Sequence, residues 1–276
     1  MAHCIVPEAE AILDKEYPVL DKGFVRLVDY LGSDERIVQA ARVSYAGGTK
    51  TYRKDSGLIN YLLRNGHTSP FEQVNLTFHV KMPIFVARQW IRHRTAKLNE
   101  ISGRYSVMSD ECYIPDGAKI AFQSEDNKQG RKAEPVSEEM QQKVIELLRA
   151  DQKRSYETYE ELLDLDIARE LARVNLPLSL YTQWYWQMDL HNLFHFLNLR
   201  MDSHAQYEIR AYADQIFELT KLVCPMACEA FMDHRLNGVA LSGPEADAVR
   251  ALLAGEEIPL TGRAKEIFTG KFDSKA

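Results

Sequence analysis

The residues best suited to chemistry in this chain form one short cationic segment, Arg92–Ser102, with the sequence RHRTAKLNEIS. Arg88 precedes the segment, Arg104 follows it, and Glu100 is the only acidic residue among them. A guanidinium group stays charged and presents a planar fork of donors that matches a phosphate or a carboxylate. Because the whole chain carries a net charge of −6, we interpret this local cluster as the binding site of a phosphorylated ligand.

A second candidate site is the pair His191 and His195, which lie four residues apart and therefore on one face of a helix. This spacing binds zinc in metalloproteases, but there a glutamate follows the first histidine, whereas here Asn192 does. No acidic third ligand lies one or two turns further on, since Asp202 and His204 fall in the following turn. We therefore expect no metal, and hydrogen bonding to a planar heterocycle is the other use of these side chains.

The cationic segment follows a predicted strand and a predicted helix. Residues 73–82 alternate polar and apolar side chains without a fault, which predicts a strand with one buried face. Pro83 then suits the first turn of a helix. That helix is predicted to run from Ile84 to about Arg92, so the cluster begins at a helix end and continues into a loop.

The rest of the chain predicts a mixture of strands and helices. A strand is expected over 23–30, a second strand or extended segment over 180–188, and a polar loop or lid over 122–137. Gly66 is expected to end a helix. The expected helices are 34–43, 55–65, 137–165, 167–174, 190–201 and 205–223. Alternating strands combined with separate helices predict an α+β fold with an antiparallel sheet core flanked by helices.

Composition narrows the class of protein. The chain has 276 residues, 45% of them hydrophobic and 27% charged, which is ordinary for a globular protein. A net charge of −6 argues against a general nucleic-acid binder, which would carry a basic surface. We find neither an apolar run long enough to cross a bilayer nor a secretory signal, so we expect a cytoplasmic protein without membrane contact. The four cysteines are expected to be reduced and to fill apolar space.

The cationic segment contains Arg92–His93–Arg94, then seven residues, then Ser102, which is followed by Gly-Arg-Tyr-Ser. This pattern resembles the signature of the flavin-dependent thymidylate synthases. Further blocks resemble the same family in the same order. They are Ala41–Ser44, the His-x-x-Pro-Phe-Glu segment within Gly66–Glu72, Ala172–Pro177 and Asn198–Arg210. Together the blocks span roughly residues 20–225, which makes a solvated surface face a poor explanation of the arginine cluster.

The resemblance implies reductive methylation of dUMP to dTMP, with methylenetetrahydrofolate as carbon donor and NADPH as reductant acting through bound FAD. It also implies a homotetramer whose FAD sites are shared between subunits. The implied nucleotide contacts are Gln89, Arg92, Glu100, Ile101, Ser102, Gly103, Arg104, Arg173 and Arg200. The implied FAD contacts are Ser44, His67, Ser69, Glu72, Arg92, His93, Arg94, Asn99, Glu100, Asp189, Leu190, His191 and His195.

By the same resemblance Arg200 is the catalytic residue. No cysteine lies in a motif block, so activation of the uracil ring by a thiolate is not expected. A guanidinium held against N3 and its flanking carbonyls would instead stabilise negative charge on the ring. Ser102 is interpreted as a positioning hydroxyl, because no histidine–acid pair is evident to activate it. The implied organisation is an N-terminal extension over 1–20, a catalytic domain over 21–236 and a C-terminal extension over 237–276 that packs on it.

Three positions depart from the family pattern, and two other functions compete with the enzyme. Lys97 stands where a small hydroxyl residue is frequent, and Asp189 and His195 stand where some members carry asparagine. The main alternative is a non-catalytic nucleotide- or RNA-binding module, which would use the arginines together with the aromatic side chains of segment 181–186. Zinc-dependent hydrolysis is the weaker alternative, since the ligand count is too low.

Overall fold

The structure is a computed structural model that describes residues 4–43, 52–125 and 130–272. The chain forms two compact units, Met1–Ala230 and Phe231–Ala276. The first unit contains all the residues proposed above for the site. Ser44 lies outside the described residues.

The first unit is built on one five-stranded sheet in which every neighbouring pair is antiparallel. Its strands are β1 Tyr17–Val19, β2 Gly23–Leu31, β3 Asn75–Pro83, β4 Lys97–Glu100 and β5 Tyr181–Asp189, in the order β1-β2-β3-β5-β4. The predicted α+β fold with an antiparallel sheet flanked by helices is therefore confirmed.

The helices occupy most of the predicted positions. They are α1 Pro7–Glu10, α2 Asp34–Arg42, α3 Tyr52–Arg64, α4 Ile84–Trp90, α5 Glu138–Asp164, α6 Arg169–Ala172, α7 Leu190–Arg200, α8 Tyr207–Val223, α9 Pro225–Phe231, α10 Gly243–Ala254 and α11 Gly262–Gly270. Short 3-10 turns lie at Phe71–Gln73, Gly117–Lys119 and Arg173–Asn175.

Local chemistry explains several helix ends. The hydroxyl of Ser137 accepts a hydrogen bond from the Met140 N–H and begins α5. The carboxylate of Asp189 accepts from the Asn192 N–H and begins α7 directly at the end of β5. Gly66 follows α3 with φ of +71°, the left-handed conformation that glycine adopts at low cost after a helix.

The alternation of β3 places Leu76, Phe78, Val80 and Met82 on a fully buried face. Helices α4, α7 and α8 lie close to the sheet, so this apolar face forms the core of the unit. The opposite face carries His79, which stacks on a half-exposed neighbour across the β3–β5 pair. One face of the sheet is therefore covered by helices of the same chain, and the other is polar and aromatic.

Trp90, the last residue of α4, lies at the centre of this core and is fully buried. Its ring stacks on Phe196 of α7, with centroids 4.9 Å apart. It also meets Trp184 and Trp186 of β5 edge-on, at 5.6 and 5.3 Å. The start of the cationic segment is thus anchored by one aromatic side chain that joins α4, α7 and the sheet.

The structure corrects four details of the expected elements. Residues Lys97–Glu100, expected in a loop, form β4 at the edge of the sheet. Pro83 precedes α4 in an extended conformation instead of lying in its first turn, and α4 ends at Trp90. The helix expected over 167–174 is divided into α6 and a 3-10 turn. Pro225 lies directly after α8 and begins α9, as proline can at a first helical position.

Candidate functional site

The centre of the site is a contact between the cationic segment and the end of α7. The Nε of Arg200, the last residue of α7, donates a hydrogen bond to Nε2 of His93 at 3.1 Å. Because Nε2 accepts this bond, a neutral His93 carries its proton on Nδ1. The His93 ring also meets Phe196 edge-on at 4.9 Å. The guanidinium is therefore held through Nε, and no hydrogen bond to its two terminal nitrogens is formed by the described residues.

The electrostatics of this pair favour a neutral imidazole and a charged guanidinium. Burial, followed by the charges of Arg200 and His195, lowers the pKa of His93 to about 4. Burial also lowers the pKa of Arg200 from its usual range, but a guanidinium remains protonated at neutral pH. The site thus presents a half-buried cation whose neighbour in the motif is an uncharged hydrogen-bond acceptor.

The neutral state of His93 predicts a pH dependence of folding. In the unfolded chain His93 regains its pKa of 6.5 and takes up a proton that the folded chain binds only near pH 4. The free energy of unfolding should therefore fall as pH decreases from 6.5 towards 4. We expect urea unfolding to show a larger loss between about pH 7 and about pH 5 for wild type than for His93→Gln, whose amide oxygen can still accept from Arg200. Equal losses of unfolding free energy in the two proteins would contradict the neutral state assigned to His93 in the folded chain.

A second group of the predicted residues lies where β4 leaves the sheet. The Thr182 hydroxyl donates to Glu100 at 2.6 Å, and the Ile101 N–H donates to the Gln183 carbonyl at 2.9 Å. Ser102 then begins a turn in which its carbonyl accepts from the N–H groups of the residues three and four positions on. These bonds fix the direction in which the chain leaves the sheet.

The turn after β4 brings three predicted contacts together. Gly103 is buried, and a Cβ built on it would lie 3.0 Å from the Met108 sulfur and 3.1 Å from Cδ of Arg173. The absence of a side chain at Gly103 therefore allows Arg173 to cross the turn. Arg104 pairs with Glu170 at 3.2 Å on the surface. Beside it is a cleft of about 420 Å³, whose lining includes Val107 together with side chains of segment 163–169.

Several residues with an implied FAD contact lie near the other end of β4. Asn75 of β3 pairs with Asp189, and Lys97 of β4 pairs with Gln187, so the start of β4 lies near the end of β5. His67, Ser69 and Glu72 precede β3 and are exposed, as are Asn99 and His195. His191 is half-buried in the first turn of α7. These side chains share one end of the sheet with the Asp189 carboxylate.

One residue of this group lies in the core. Leu190 is fully buried, and its N–H donates to the Val74 carbonyl at 2.9 Å. The two carboxylate oxygens of Asp189 accept hydrogen bonds from the backbone N–H and the side-chain amide of Asn192 in the first turn of α7. Within one subunit these two residues therefore shape the start of α7.

The predicted residues do not form one closed pocket within the subunit. The four residues of β4 separate the two groups by about 10 Å, since a strand rises about 3.3 Å per residue. Large apolar side chains are exposed near the Ser102 turn, where the surrounding chain of this subunit leaves them uncovered. They are Tyr105, Val107, Leu171, Val174 and Leu178.

Residues that were not predicted for the site form hydrogen bonds to the predicted ones. Thr182 holds Glu100, and Gln206 accepts a hydrogen bond from the side chain of Gln89, one of the implied nucleotide contacts. Glu208 in turn accepts from Gln206 at 2.8 Å and is only 3% exposed. Gln206 and Glu208 both belong to the block Asn198–Arg210, but nothing in the pattern indicates that Gln206 contacts α4.

No group of histidine, cysteine and acidic residues suited to a metal ion occurs within residues 4–43, 52–125 and 130–272. Over the same ranges, no helix is long and apolar enough to span a bilayer. The cysteines in these ranges are all free thiols.

Comparison with known proteins agrees with this fold and identifies the family. Residues 26–226 match the family described as Thymidylate synthase complementing protein, and residues 239–275 match the Thymidylate synthase ThyX C-terminal domain. The chain is 63% identical to the flavin-dependent thymidylate synthase of Treponema denticola, covering 95% of this chain and 98% of that protein. It is 59% identical to that of Treponema pallidum, covering 99% and 90%.

A solved structure has a similar fold. The UMP/dUMP methylase PolB from Streptomyces cacaoi, bound with 5-Br dUMP, superposes with a TM-score of 0.73 at 36% identity. The match covers 79% of this chain and 98% of that one. The extent and identity of these matches define a class of nucleotide-modifying enzymes. This chain belongs to the family of flavin-dependent thymidylate synthases.

Proposed function

We propose that this protein converts dUMP to dTMP, taking the carbon from methylenetetrahydrofolate and the reducing equivalents from NADPH through bound FAD. The observation that carries the proposal is the Arg200–His93 contact. It joins the two motif blocks that sequence analysis singled out and leaves the terminal nitrogens of a half-buried guanidinium available to a ligand.

Arg200 is the proposed catalytic residue. Adding a carbon to C5 of uracil requires electron density on the ring, which rises when negative charge on N3 and its flanking carbonyls is stabilised. The terminal nitrogens of Arg200 supply two donors and a positive charge for those atoms. Because Nε is already bonded to His93, the plane of the guanidinium is fixed before the nucleotide binds, and little reorganisation is needed during the reaction.

The donor set near the motif fits two phosphorylated ligands. Arg92 and Arg94 are exposed and form no ion pair with a carboxylate in the described parts of the chain. Two such cations, two positions apart in the chain, suit the pyrophosphate of FAD, and the exposed His67, Ser69 and Asn99 add further donors and acceptors. When bound, FAD would carry electrons from NADPH to the transferred carbon. Arg104 and Arg173 at the Ser102 turn are the proposed partners of the dUMP phosphate.

The state of the cysteines supports activation without a thiolate. Cys112, Cys224 and Cys228 are buried, and burial raises the pKa of each thiol. Cys4 is hydrogen-bonded to the hydroxyl of Ser33 at 3.0 Å. A neutral, buried thiol is a poor nucleophile, because attack on C6 of the pyrimidine would require the thiolate. We therefore propose that Arg200, and not a cysteine, activates the ring.

We also propose a homotetramer in which each FAD site is completed by a neighbouring subunit. Two observations support it. The implied FAD contacts His67, Ser69 and Glu72 are separated by β4 from the turn that carries Ser102 and Gly103, and that turn is bordered by exposed apolar side chains. A group of exposed apolar side chains of this kind is typical of a surface that contacts another protein chain. The C-terminal extension over 237–276 is proposed to serve the same assembly.

The role of the Ser102 turn gives a prediction with a matched control. In Gly103→Ala the new Cβ would press on Arg173 Cδ, 3.1 Å away, and on Met108. We expect the KM for dUMP to rise about fivefold, the equivalent of about 1 kcal/mol, with kcat nearly unchanged. Gly57→Ala, within α3 where a Cβ meets nothing within 4 Å, should instead stabilise the fold by about 0.5–1 kcal/mol and leave the KM unchanged. An unchanged KM in Gly103→Ala would remove the proposed role of the turn.

The proposed function is tested with the FAD-loaded protein. NADPH oxidation is measured with and without dUMP, and the products are analysed after methylenetetrahydrofolate is added. Stimulated oxidation together with dTMP is the expected result. Flavin binding without dTMP would contradict the proposed reaction. Retention of RNA without flavin binding would favour the non-catalytic nucleotide-binding module.

A further inference from the structure

Glu208, in the first turn of α8, is a buried carboxylate that the proposed reaction does not use. It is 3% exposed, and three side chains donate hydrogen bonds to it. Its Oε1 accepts from the Tyr113 hydroxyl at 3.2 Å and from Nη2 of Arg131 at 3.0 Å. Its Oε2 accepts from Nε2 of Gln206 at 2.8 Å. Burial and the charge of Glu208 raise the pKa of Tyr113, so this hydroxyl stays protonated and donates.

The bonds continue from Glu208 towards the proposed nucleotide site. Gln206 uses its amide nitrogen on Glu208, so its carbonyl oxygen faces Gln89 and accepts a hydrogen bond from Gln89 Nε2. Gln89 lies on α4, one turn before Arg92. Two carboxamides and one carboxylate thus form a chain of hydrogen bonds that all run in one direction.

The direction of these hydrogen bonds follows from the chemistry of Glu208, at the buried end of the series. An ionised carboxylate only accepts hydrogen bonds, whereas a carboxamide has one accepting and one donating end. Glu208 therefore requires the NH₂ group of Gln206 to face it, and the oxygen of Gln206 then requires the NH₂ group of Gln89. The carbonyl oxygen of Gln89 is left for a partner outside the chain of bonds.

We propose that Glu208 is a positioning residue that sets the orientation of the Gln89 carboxamide through Gln206. Gln89 then presents a hydrogen-bond acceptor to a donor group of the bound nucleotide. The inference rests on the proposed function in one respect, namely that Gln89 contacts dUMP. It assigns Glu208 no contact with the nucleotide itself.

The proposal predicts a specific effect of Glu208→Gln, which keeps the shape of the side chain. Arg131 and Tyr113 both donate to the first oxygen and should keep the single oxygen of the new amide. Its NH₂ group would then face Gln206, which must turn over, and Gln89 must turn over in response. Gln89 would now present a donor where the nucleotide needs an acceptor. We expect the Kd for dUMP to rise about tenfold, since one hydrogen bond is replaced by a repulsive contact.

Gln89→Glu should also weaken dUMP binding, because a carboxylate would face the carbonyl oxygen of Gln206. In the double variant, Glu208→Gln with Gln89→Glu, Gln206 is turned over and its NH₂ group faces the new carboxylate. That carboxylate offers its other oxygen to the nucleotide. The double variant should therefore bind dUMP more tightly than either single variant.

The test is isothermal titration of the FAD-loaded protein with dUMP, together with an assay of dTMP formation. Tyr113→Phe is the matched control, because it removes a bond to Oε1 of Glu208 without touching Gln206, and its Kd should stay within about twofold of wild type. Gln206→Ala provides a second variant at an exposed position, should Glu208→Gln fold poorly, and it should weaken dUMP binding to a similar extent.

The outcomes distinguish a failure of the proposed reaction from a failure of the positioning role of Glu208. If wild type binds dUMP but forms no dTMP, the proposed reaction fails while the binding measurements still decide the role of Glu208. If the losses in the two single variants simply add in the double variant, Glu208 acts only on the general fold and the positioning role is overturned. A normal Kd in Gln206→Ala would overturn it as well.

Discussion

Arg200→Ala is expected to lower dTMP formation by at least about a hundredfold, the loss typical when one preorganised donor to a developing negative charge is removed. The variant keeps His93 and its ring contact with Phe196, which do not depend on the guanidinium. The protein should therefore stay folded and retain at least part of its flavin. The measurement is kcat for dTMP formation, with the flavin absorbance of the purified variant recorded beside it.

Two further variants sharpen this result. Arg200→Lys keeps a positive charge but replaces the planar fork by one ammonium nitrogen, whose three donors are not coplanar and cannot match the edge of a planar ring while one of them is bonded to His93. It should recover only a small part of the activity. Arg154→Ala, which removes an exposed guanidinium from α5, should be as active as wild type. Normal turnover in Arg200→Ala would exclude the proposed activation of the uracil ring.

Trp90→Ala is expected to reduce the free energy of unfolding by about 3–5 kcal/mol, as is usual when a buried tryptophan is truncated. That is a large part of the stability of an ordinary domain, about 5–15 kcal/mol. The side chain is fully buried and stacks on Phe196, so its loss leaves a cavity between α4, α7 and β5. Equilibrium unfolding in urea measures the effect.

Trp90→Phe is the matched variant, because the indole Nε1 is buried without a hydrogen-bond partner in the described structure. Replacing it by phenylalanine therefore loses ring area but no hydrogen bond, and the cost should be clearly smaller than that of alanine. Since Gln89 and Arg92 flank Trp90 at the end of α4, dUMP binding should weaken in parallel with stability across the two variants. Similar stability in both variants would contradict the packing role assigned to the indole.

The sheet core was predictable because its signal is local. In β3 the faultless alternation from Gln73 to Met82 marks one buried face, and all four inward side chains from Leu76 to Met82 are indeed fully buried. Helix ends with their own chemistry, such as Ser137 before α5 and Gly66 after α3, were predicted for the same reason. In each case the residues that decide the structure are close together in the chain.

The details that were not predicted depend on contacts between distant residues. All four residues of β4 are exposed and show no alternation of burial, and the strand exists because its backbone pairs with β5, some ninety positions away. Likewise the contact of Gln89 with Gln206 spans 117 residues, and its existence follows from how α4 and α8 pack. The roles of the individual site residues remain predictions that rest on the resemblance and on the variants described above.

The position of β4 at the end of the strand order has a consequence for the behaviour of the chain in the cell. An edge strand presents unpaired backbone groups and can recruit strands of other molecules into aggregates. Here the edge is only four residues long and carries Lys97 and Glu100, and a short charged edge is a poor template for such growth. The ammonium group of Lys97 donates a hydrogen bond to the side chain of Gln187 on the neighbouring strand at 3.3 Å. The free edge of this sheet is therefore poorly suited to edge-to-edge pairing with other copies of the chain.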